Sequence, residues 1–299
     1  MELSQLRYAI AVADTGNFTR AAERAHISQP SLSQQILNLE KEVGHKLFHR
    51  LGRKAVLTEA GTTFLERARR ITFEVENAAK ELSDHPSLDR RITVGAVPTI
   101  MPYLLAPVIA RCREQHPNLV IHAREEFRHE LVRDVIDGSL DLAVVTLPVK
   151  DVRLAIEPLL TEPLLLVVGK KHPFANRTEI NFNDLAGETF VSMGDSSTLA
   201  VQIRGFFGDH NFSPNIGYRC AQVTTLKLFV AMGLGISILP QVARRPDDRG
   251  VLTYLRLSDT PLTRELAIIR HPQRYQSRGA EQFLTALREQ AKLADPVST

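Results

Sequence analysis

The sequence predicts an α plus α/β fold, in which a small helical module, one long helix and a two-lobed α/β region follow one another. Three observations lead to this prediction. In roughly the first sixty residues, apolar side chains recur every three or four positions in short runs. Residues 58–82 carry a heptad-like apolar pattern. From residue 91 onward, strand-like and helix-like segments alternate, which is typical of a parallel sheet covered by helices.

Composition sets broad limits. A length of 299 residues favours two or three domains, and 43% hydrophobic with 24% charged residues argues against extensive disorder. The formal net charge of +3 is too small to indicate a nucleic-acid partner by itself. Its distribution is more informative, because residues 43–58 contain four cations and no acidic residue.

Cysteine usage and the N-terminus bear on the compartment. Cys112 and Cys220 lie far apart, which fits a reducing cytosol and excludes a disulfide scaffold. Residues 1–16 lack the basic region and sustained apolar core of a signal peptide, and no run of 18 apolar residues occurs. We therefore expect a cytoplasmic protein without membrane contact, and no motif requires a metal or another cofactor.

The first three helices are indicated by apolar spacing and by glycine. Gly16-Asn17 ends the first helix, and Thr19 can cap a second helix, TRAAERAH. Gly44 ends the third helix, as glycine does just beyond a helix terminus. The apolar positions are Leu3, Leu6, Ile10 and Ala13 in the first helix and Leu32, Ile36, Leu39 and Val43 in the third.

The third helix opens with SQPSLSQQI, a stretch rich in Ser and Gln and free of charge. Neutral amides and hydroxyls can read base edges in a DNA major groove without the indiscriminate attraction of a charge. Pro30 suits the first turn of a helix, where its missing N–H costs nothing. Given the apolar face, Pro30, Gln34, Leu37, Asn38 and Lys41 point outward and Ser33 lies on the flank. The alternative is a solvated polar helix face.

LFHRLGRKAVLT consists of two short apolar-bearing runs around a turn at Gly52, which predicts a β-hairpin with basic residues at its tip. Arg50, Arg53 and Lys54 are placed to meet phosphates. Two short helices followed by a basic hairpin form the layout of a winged helix-turn-helix, whose second helix enters the major groove.

A long helix follows from Thr58, its predicted N-cap, to about Leu82. Its apolar residues alternate spacings of four and three, which predicts a seam for pairing with a second chain. A single amphipathic helix that packs on its own domain is the alternative. The proposed seam comprises Phe64, Ala68, Ile71, Val75, Ala78 and Leu82.

After a polar linker, SDHPSLDRR, two blocks of alternating strands and helices follow. The first runs from RITVGAV through LVIHAREE to LDLAVVTL. The second starts at EPLLLVVGKKHP and continues to GISILP, and TRELAIIRHP with a helix from Ser277 indicates a return to the first block. Two similar lobes joined by two crossovers form a hinged pair with a cleft between them.

The N-terminal residues NFTRAAERAHISQPSLSQQILNLEKEVGHKLFHR resemble the DNA-binding domain of LysR-type transcriptional regulators. Similarity extends along the chain through LTEAG, EPLLLVVGKKHPFA and VAMGLGISILP. The matching N-terminal positions are Ala21, Ala22, Ser28, Gln29, Pro30, Ser33, Leu39, Glu40, Gly44, Leu47, Phe48 and Arg50.

This resemblance implies a homo-oligomer, usually a tetramer, that binds an inverted repeat of double-stranded DNA, answers a small-molecule effector and works with RNA polymerase. It implies base contacts by Gln29, Pro30 and Ser33, and backbone contacts by Thr19, Arg50, Arg53 and Lys54. The whole candidate DNA-contacting set adds Ser28, Ser31, Gln34 and Asn38. The expected domains are 1–58 for DNA binding, 59–90 for the linker helix and hinge, and 91–299 for effector binding. Lobe I covers about 91–161 and 267–299, and lobe II about 162–266, in an arrangement resembling periplasmic binding proteins.

An effector is expected at the carboxyl ends of the strands, where helix N-termini offer free amides to an anion. Three corners carry hydroxyls, although ordinary helix caps are the alternative at each of them. The candidate residues there are Pro98, Thr99, Ile100, Ser196, Ser197, Thr198 and Thr224. Thr146 is a further candidate. At the corner after LVIHAREE the family commonly has a small hydroxyl residue, whereas this chain has Phe127 and Arg128, and the sequence leaves open which of them faces the cleft.

Three other interpretations compete with an effector-responsive regulator. Some LysR-type proteins sense peroxide through a cysteine pair, which would be expected around residues 198–209, and that segment has no cysteine. An enzyme is disfavoured because HExxH, GxSxG, Walker A and CxxC spacings are all absent. A solute-binding protein is disfavoured because it leaves the N-terminal module without a role.

Overall fold

The computed structural model describes residues 1–52, 54–83, 90–177 and 180–294. The chain divides into two compact units, residues 1–85 and 86–299, and each is described by itself. Among the described residues, no helix combines the length and the apolar character needed to cross a bilayer.

The N-terminal unit contains four helices and one antiparallel hairpin. Gly16 and Gly44 end the first and third helices in the left-handed region, with φ of 60° and 75°. The predicted N-cap Thr58 is confirmed, because the Gly61 amide donates to its hydroxyl at 2.9 Å. The elements are α1 (Leu3–Thr15), α2 (Phe18–Arg24), α3 (Gln29–Val43), β1 (Phe48–Leu51), β2 (Lys54–Leu57) and α4 (Glu59–Ser83).

Two local expectations for these helices are wrong. Asn17, and not Thr19, caps α2, because its side-chain oxygen accepts the amides of Thr19 at 2.8 Å and Arg20 at 3.1 Å. Ser33 lies on the buried side of α3 rather than on its flank, and Val43 is only half-buried. The short polar side chain of Ser33 fits where the helix packs most closely on its own unit.

Glu40 joins the end of α3 to the hairpin. Its Oε1 accepts the backbone amides of Leu47 at 2.8 Å and Phe48 at 3.1 Å, and both of those side chains are buried. Gly61 lies against the same loop, where an added Cβ would stand 2.0 Å from the Leu47 carbonyl oxygen. The LE..LG..LF spacing therefore stabilises the fold of the module.

The long helix α4 has two different faces. Its inner face is buried at Gly61, Leu65, Ala68, Thr72, Phe73 and Asn77, and Leu65 belongs to the apolar core of the N-terminal unit. Placing Ala68 in the intermolecular seam is therefore wrong, and Phe64 packs partly against the same core. The outer part of the proposed seam is exposed, namely Ile71 (45%), Val75 (41%), Ala78 and Leu82 (85%).

Lobe I of the C-terminal unit is built on strands in the order β6-β11-β5-β3-β4. The central strand β3 is parallel to β4 and β5, as the alternation of strands and helices predicts, whereas the returning strand β11 is antiparallel to β5. The elements of this lobe are β3 (Arg90–Ala96), α5 (Ala106–Gln115), β4 (Leu119–Glu125), α6 (Arg128–Ile136), β5 (Leu142–Thr146), the first half of β6 (Ala155–Gly169), β11 (Thr263–Arg270) and α9 (Arg278–Ala294).

Lobe II uses the second half of β6, which pairs with β9 and β10. Strands β7 and β8 are parallel, and the amides of Val191 and Ile236 tie β7 to the segment before β9 at 2.8 Å each. Its other elements are β7 (Thr189–Met193), α7 (Thr198–Asp209), β8 (Asn215–Cys220), α8 (Val223–Ala231), β9 (Ser237–Pro240) and β10 (Leu252–Leu255).

Two chain segments connect the lobes. Strand β6 runs without interruption from lobe I into lobe II, and β11 pairs with it antiparallel from Thr263 to Arg270. Each lobe has its own buried apolar core on one side of this crossing. These two crossover strands, β6 and β11, therefore connect the lobes covalently.

Candidate DNA-binding surface and effector cleft

The exposed face of α3 carries neutral hydrogen-bonding side chains, of which Gln29 is bonded to the buried Ser33 and Gln34 to the exposed Asn38. Gln29 Nε2 donates to Ser33 Oγ at 2.8 Å, and Gln34 Nε2 donates to Asn38 Oδ1 at 3.0 Å. These i to i+4 bonds hold the amides along the helix, with further acceptors and donors free to meet a groove. The exposed candidates on this helix are Ser28, Gln29, Pro30, Ser31, Gln34 and Asn38.

The first turn of α3 is set by its own side chains. Ser28 is the N-cap and its hydroxyl accepts the Ser31 amide at 3.3 Å. Pro30 occupies the first turn, as expected from its missing N–H. This end of the helix is therefore fixed without help from the rest of the unit.

The hairpin presents cations beside the same module. The Arg50 guanidinium lies 4.4 Å from the centroid of the Phe18 ring, at the start of α2, and Lys54 is exposed. Stacking on an aromatic ring restrains a long side chain while leaving its N–H groups available for phosphate. Thr19 is exposed on α2. Arg53 lies outside the described residues.

In the C-terminal unit, Thr99 occupies a different environment from the one expected. The amides of Ile100 and Met101 both donate to the Val97 carbonyl, at 2.8 and 3.0 Å, so these two amides are already bonded and Thr99 is not the cap of a helix. A wide π-type turn, Met101–Leu105, precedes α5. The predicted helix start at Thr99 is therefore wrong, because residues 97–101 form a hydrogen-bonded turn and the first helical residue is Met101.

Thr99 is instead bound to the fully buried Arg264 of strand β11. Arg264 donates from Nη1 to the Thr99 hydroxyl at 2.8 Å and from Nη2 to the Thr99 carbonyl at 3.2 Å. Its Nε donates to Glu162 Oε1 at 2.9 Å, and Glu162 Oε2 accepts the Val242 amide at 2.8 Å. Both charged side chains are inaccessible to solvent. This group links lobe I, both crossover strands and lobe II.

Burial lowers the pKa of the Arg264 guanidinium, and the adjacent Glu162 carboxylate opposes that shift. Because all three nitrogens of the guanidinium donate hydrogen bonds, we expect Arg264 to stay charged. The Thr99 hydroxyl accepts a hydrogen bond from Arg264 and keeps its own proton, so it can still donate to a ligand.

The corner after β4 separates the roles of Phe127 and Arg128. Phe127 is exposed and stacks on His129, with ring centroids 6.4 Å apart. Arg128 turns toward the end of β5, where its Nη1 donates to the carbonyls of Thr146 at 3.3 Å and Pro148 at 3.1 Å. Thr146 itself is buried. Arg128 is therefore the residue of this corner that faces the neighbouring strand end.

A direct hydrogen bond crosses between the lobes at the same place. Gln202, on helix α7 of lobe II, donates from Nε2 to the Leu147 carbonyl of lobe I at 3.2 Å. Its Oε1 is buried and has no hydrogen-bond partner among the described residues. Gln202 thus offers an unused acceptor beside the carboxyl end of β5.

The remaining hydroxyl candidates lie in lobe II and are not joined to lobe I by any hydrogen bond in the described part of the chain. Ser197 is buried at the N-cap position of α7 but makes no side-chain capping bond. Ser196 is exposed and Thr198 half-buried. Thr224 is exposed in the first turn of α8, which begins at Val223.

Sequence reasoning missed Glu162, Arg264 and Gln202. A signal existed for the first two, because period-two alternation places Glu162 with Leu160 and Leu164, and Arg264 with Leu266. A charge on the apolar face of a buried strand requires a partner. No pattern along the sequence identifies Gln202.

The two cysteines are buried in different lobes. Cys112 belongs to the core of lobe I and Cys220 to that of lobe II. Burial raises the pKa of both thiols, although Arg111 opposes the shift at Cys112. Neither thiol has the exposed, electropositive surroundings of a reactive cysteine.

Comparisons with known proteins agree on one family across both units. Residues 3–62 match the model for a bacterial regulatory helix-turn-helix protein of the lysR family, and residues 85–292 match the LysR substrate binding domain. A hydrogen peroxide-inducible genes activator of Pectobacterium carotovorum subsp. carotovorum is 34% identical over 276 residues, covering 91% of each chain. The Hca operon transcriptional activator HcaR of Escherichia coli (strain K12) is 37% identical over 242 residues, covering 80% of this chain and 82% of the relative. A full-length OxyR variant from Pseudomonas aeruginosa superposes with a TM-score of 0.73 at 26% identity, covering 98% and 95% of the two chains.

Proposed function

Because this chain belongs to the LysR family of bacterial transcriptional regulators, we propose that it reads an inverted-repeat promoter site through α3 and answers a small anionic effector between its two α/β lobes. Regulators of this family bind DNA and small-molecule effectors and oligomerise. The observation that carries the proposal is the exposed, uncharged and ordered hydrogen-bonding face of α3 beside a basic hairpin.

On α3, we assign base reading to Gln29 and Pro30, with Gln34 and Asn38 further along the same face. An exposed amide can make bidentate bonds to adenine in the major groove, which discriminates between bases by about 1–3 kcal/mol. Arg50, Arg53 and Lys54, with Thr19, are assigned to the phosphate backbone. Ser33 is buried, so its role is to position Gln29 rather than to reach a base.

Two half-sites require two copies of the module. The stripe of Ile71, Val75, Ala78 and Leu82 on α4 is spaced for helix pairing, and the described residues leave it exposed. We infer that α4 pairs with α4 of a second copy through this stripe, and that dimers associate into a tetramer. Interaction with RNA polymerase and a cytoplasmic location complete the proposal.

In the effector cleft, the available groups favour a ligand rich in acceptors. Thr99 is left with a proton to donate, and Arg128 supplies a guanidinium at the end of β5. Carboxylate oxygens are good partners for both. The lobe II hydroxyls of Ser196, Ser197, Thr198 and Thr224 are assigned to the opposite wall, with Pro98, Ile100, Phe127 and Thr146 around them.

The DNA assignment is tested by binding of two variants to promoter and random duplexes over a range of salt concentrations. Gln29→Ala should weaken specific binding by about 1–3 kcal/mol and leave random-duplex binding nearly intact. Lys54→Ala should weaken binding to both duplexes, and the slope of log binding constant against log salt concentration should fall in magnitude by about one. Equal losses on both duplexes for the two variants would contradict this division of roles.

Pairing through α4 is tested by light scattering of Ile71→Glu beside the matched variant Glu74→Gln, which changes an exposed residue of the same helix outside the stripe. A charge in the stripe should reduce the measured mass and remove the added affinity of two linked half-sites. An unchanged mass for Ile71→Glu would remove the stripe from the interface.

A cysteine-based redox sensor is the second candidate, since a relative is named a hydrogen peroxide-inducible genes activator. The separate burial of Cys112 and Cys220 disfavours it. DNA binding by the Cys112→Ala, Cys220→Ala double variant should respond to peroxide no differently from the wild type. A peroxide response lost only in the double variant would establish the redox mechanism instead.

A further inference from the structure

A groove of about 710 Å³ lies along the two crossover strands. Strands β6 and β11 line it around the pairs Thr161–Glu265 and Pro163–Thr263, and the rest of the lining comes from Arg256, Leu257, Pro261 and Leu262. Leu159, Pro163 and Leu262 give it half-buried apolar surface. This volume falls within the usual range for small-molecule sites.

Two opposite charges line this groove without partners. Glu265 is exposed on β11 and Arg256 is exposed after β10, and neither makes an ion pair with any described residue, including each other. Glu265 is held on a strand that is hydrogen-bonded on both sides, so its position is fixed. The groove is thus lined by an exposed negative group, an exposed positive group and apolar surface.

We propose that this groove is a second ligand site, distinct from the cleft between the lobes, and that it takes a short apolar zwitterion of about dipeptide size. The ammonium group binds Glu265, the carboxylate binds Arg256, and aliphatic side chains cover Leu159 and Leu262. Charge-assisted hydrogen bonds of this kind are the strong ones, and the apolar lining supplies burial. Glu265 pairs with Thr161 of β6, whereas Leu255, just before Arg256, pairs with Leu166, so the two charged residues lie at different points along β6. We therefore expect a free amino acid, whose two charges are separated by a single carbon, to be too short to reach both.

Two hydrogen bonds connect the backbone of the groove to the contact between the lobes. The Glu265 carbonyl accepts the Leu147 amide at 2.9 Å, and the Leu147 carbonyl accepts the interlobe bond from Gln202. The residue before Glu265 is Arg264, which binds Thr99. A ligand that fixes Glu265 therefore restrains the strand on which both interlobe connections depend. The existence of the site does not depend on the proposed regulatory function.

The site is tested by calorimetry of the full chain with leucine, dileucine and trileucine, since each added residue extends the charge separation by about 3.5 Å. Dileucine should bind at least tenfold more tightly than leucine. N-acetyl-dileucine should lose about tenfold through its missing ammonium, and dileucine amide a similar factor through its missing carboxylate.

Variants assign each charge. Glu265→Gln should weaken dileucine binding about tenfold, and acetylation of the peptide should then cause no further loss, because the two changes remove the same contact. Arg256→Gln should behave in the same way toward the amide. Glu114→Gln on α5 and Arg249→Gln in lobe II are matched exposed controls that should bind as wild type does.

Circular dichroism melts show that each variant is folded. The proposal is overturned if wild-type protein binds none of the peptides at about 10 mM, a concentration at which even millimolar sites are occupied. It is equally overturned if leucine binds as well as dileucine, or if Glu265→Gln and Glu114→Gln have the same effect.

Discussion

The exposed face of α3 and the buried group at the crossover both consist of polar side chains, yet they differ in how they are held. On α3, Gln29 and Ser33 are four residues apart on one helix and bond each other locally. At the crossover, Thr99 and Arg264 are 165 residues apart and meet only when lobe I is complete. The Gln29 amide is open to a partner, whereas the side chains of Arg264 and its ion-pair partner Glu162 are inaccessible to solvent.

This difference predicts opposite responses to substitution. Removing an exposed polar side chain costs the protein little stability, because water replaces the hydrogen bonds that the side chain made. A buried charge left without its partner retains its full desolvation cost. We therefore expect substitutions in the crossover group to reduce stability and substitutions on α3 to reduce DNA binding. Four variants, ordered by the expected loss of unfolding free energy, test this expectation.

The largest effect is expected for Arg264→Met, which leaves Glu162 charged and buried. The free energy of unfolding should fall by about 3–5 kcal/mol, measured by urea denaturation. The double variant Glu162→Leu, Arg264→Met should recover most of this loss, because no unpaired charge remains. If the double variant is as unstable as the single one, the cost arises from packing and not from charge.

Thr99→Val should have the next largest effect. It keeps the shape of the side chain and removes the acceptor for Arg264 Nη1, so the unfolding free energy should fall by about 2 kcal/mol. Thr99→Ser keeps the hydroxyl and serves as the control. Stability equal to that of wild type in Thr99→Val would show that the bond to Arg264 contributes nothing and would weaken the assignment of Thr99 as a donor.

A smaller effect is expected at the cap of α2, where Asn17 and Thr19 can be compared directly. Asn17→Ala should reduce stability by about 1 kcal/mol because two amides lose their acceptor. Thr19→Ala should cause almost no change. Thermal melts of the two variants check this order, and a larger loss for Thr19→Ala would restore the cap suggested by sequence.

Gln29→Ala should have the smallest effect on stability, within about 0.5 kcal/mol, because the side chain is exposed. The same variant should lose specific DNA affinity, as set out above. Urea denaturation run on the sample used for DNA binding makes the contrast with Arg264→Met direct. A large stability loss here would mean that α3 depends on its own polar pairs for folding.

Much of the fold could be predicted because its cues are local. Gly16, Gly44 and Pro30 mark helix ends through conformational preferences that each residue carries with it. Period-two and heptad-like spacing located strands and the long helix. The candidate site was predictable where exposure follows from the apolar face of the same helix, which is why the outward positions on α3 agree with those observed.

Predictions from the sequence were wrong where one side of a helix or strand packs against another helix or strand. Ala68 fits a heptad seam by spacing, but that position is already buried within the single chain. Spacing along one helix cannot tell a neighbouring helix of the same unit from a second chain, since both require an apolar stripe. The strand β10 and the antiparallel return of β11 were likewise decided by pairing partners remote in sequence.

By itself, the sequence determined the helix cap at Thr58, the glycine ends of α1 and α3, and the uncharged outer face of α3, because each depends on residues within about one or two helical turns. Only the tertiary structure decided that Thr99 binds Arg264 instead of capping a helix, that Arg128 rather than Phe127 turns toward β5, and that Gln202 bridges the lobes. The physical reason is that a buried polar group takes whichever partner the completed fold places within hydrogen-bond reach, and that partner can lie anywhere along the chain.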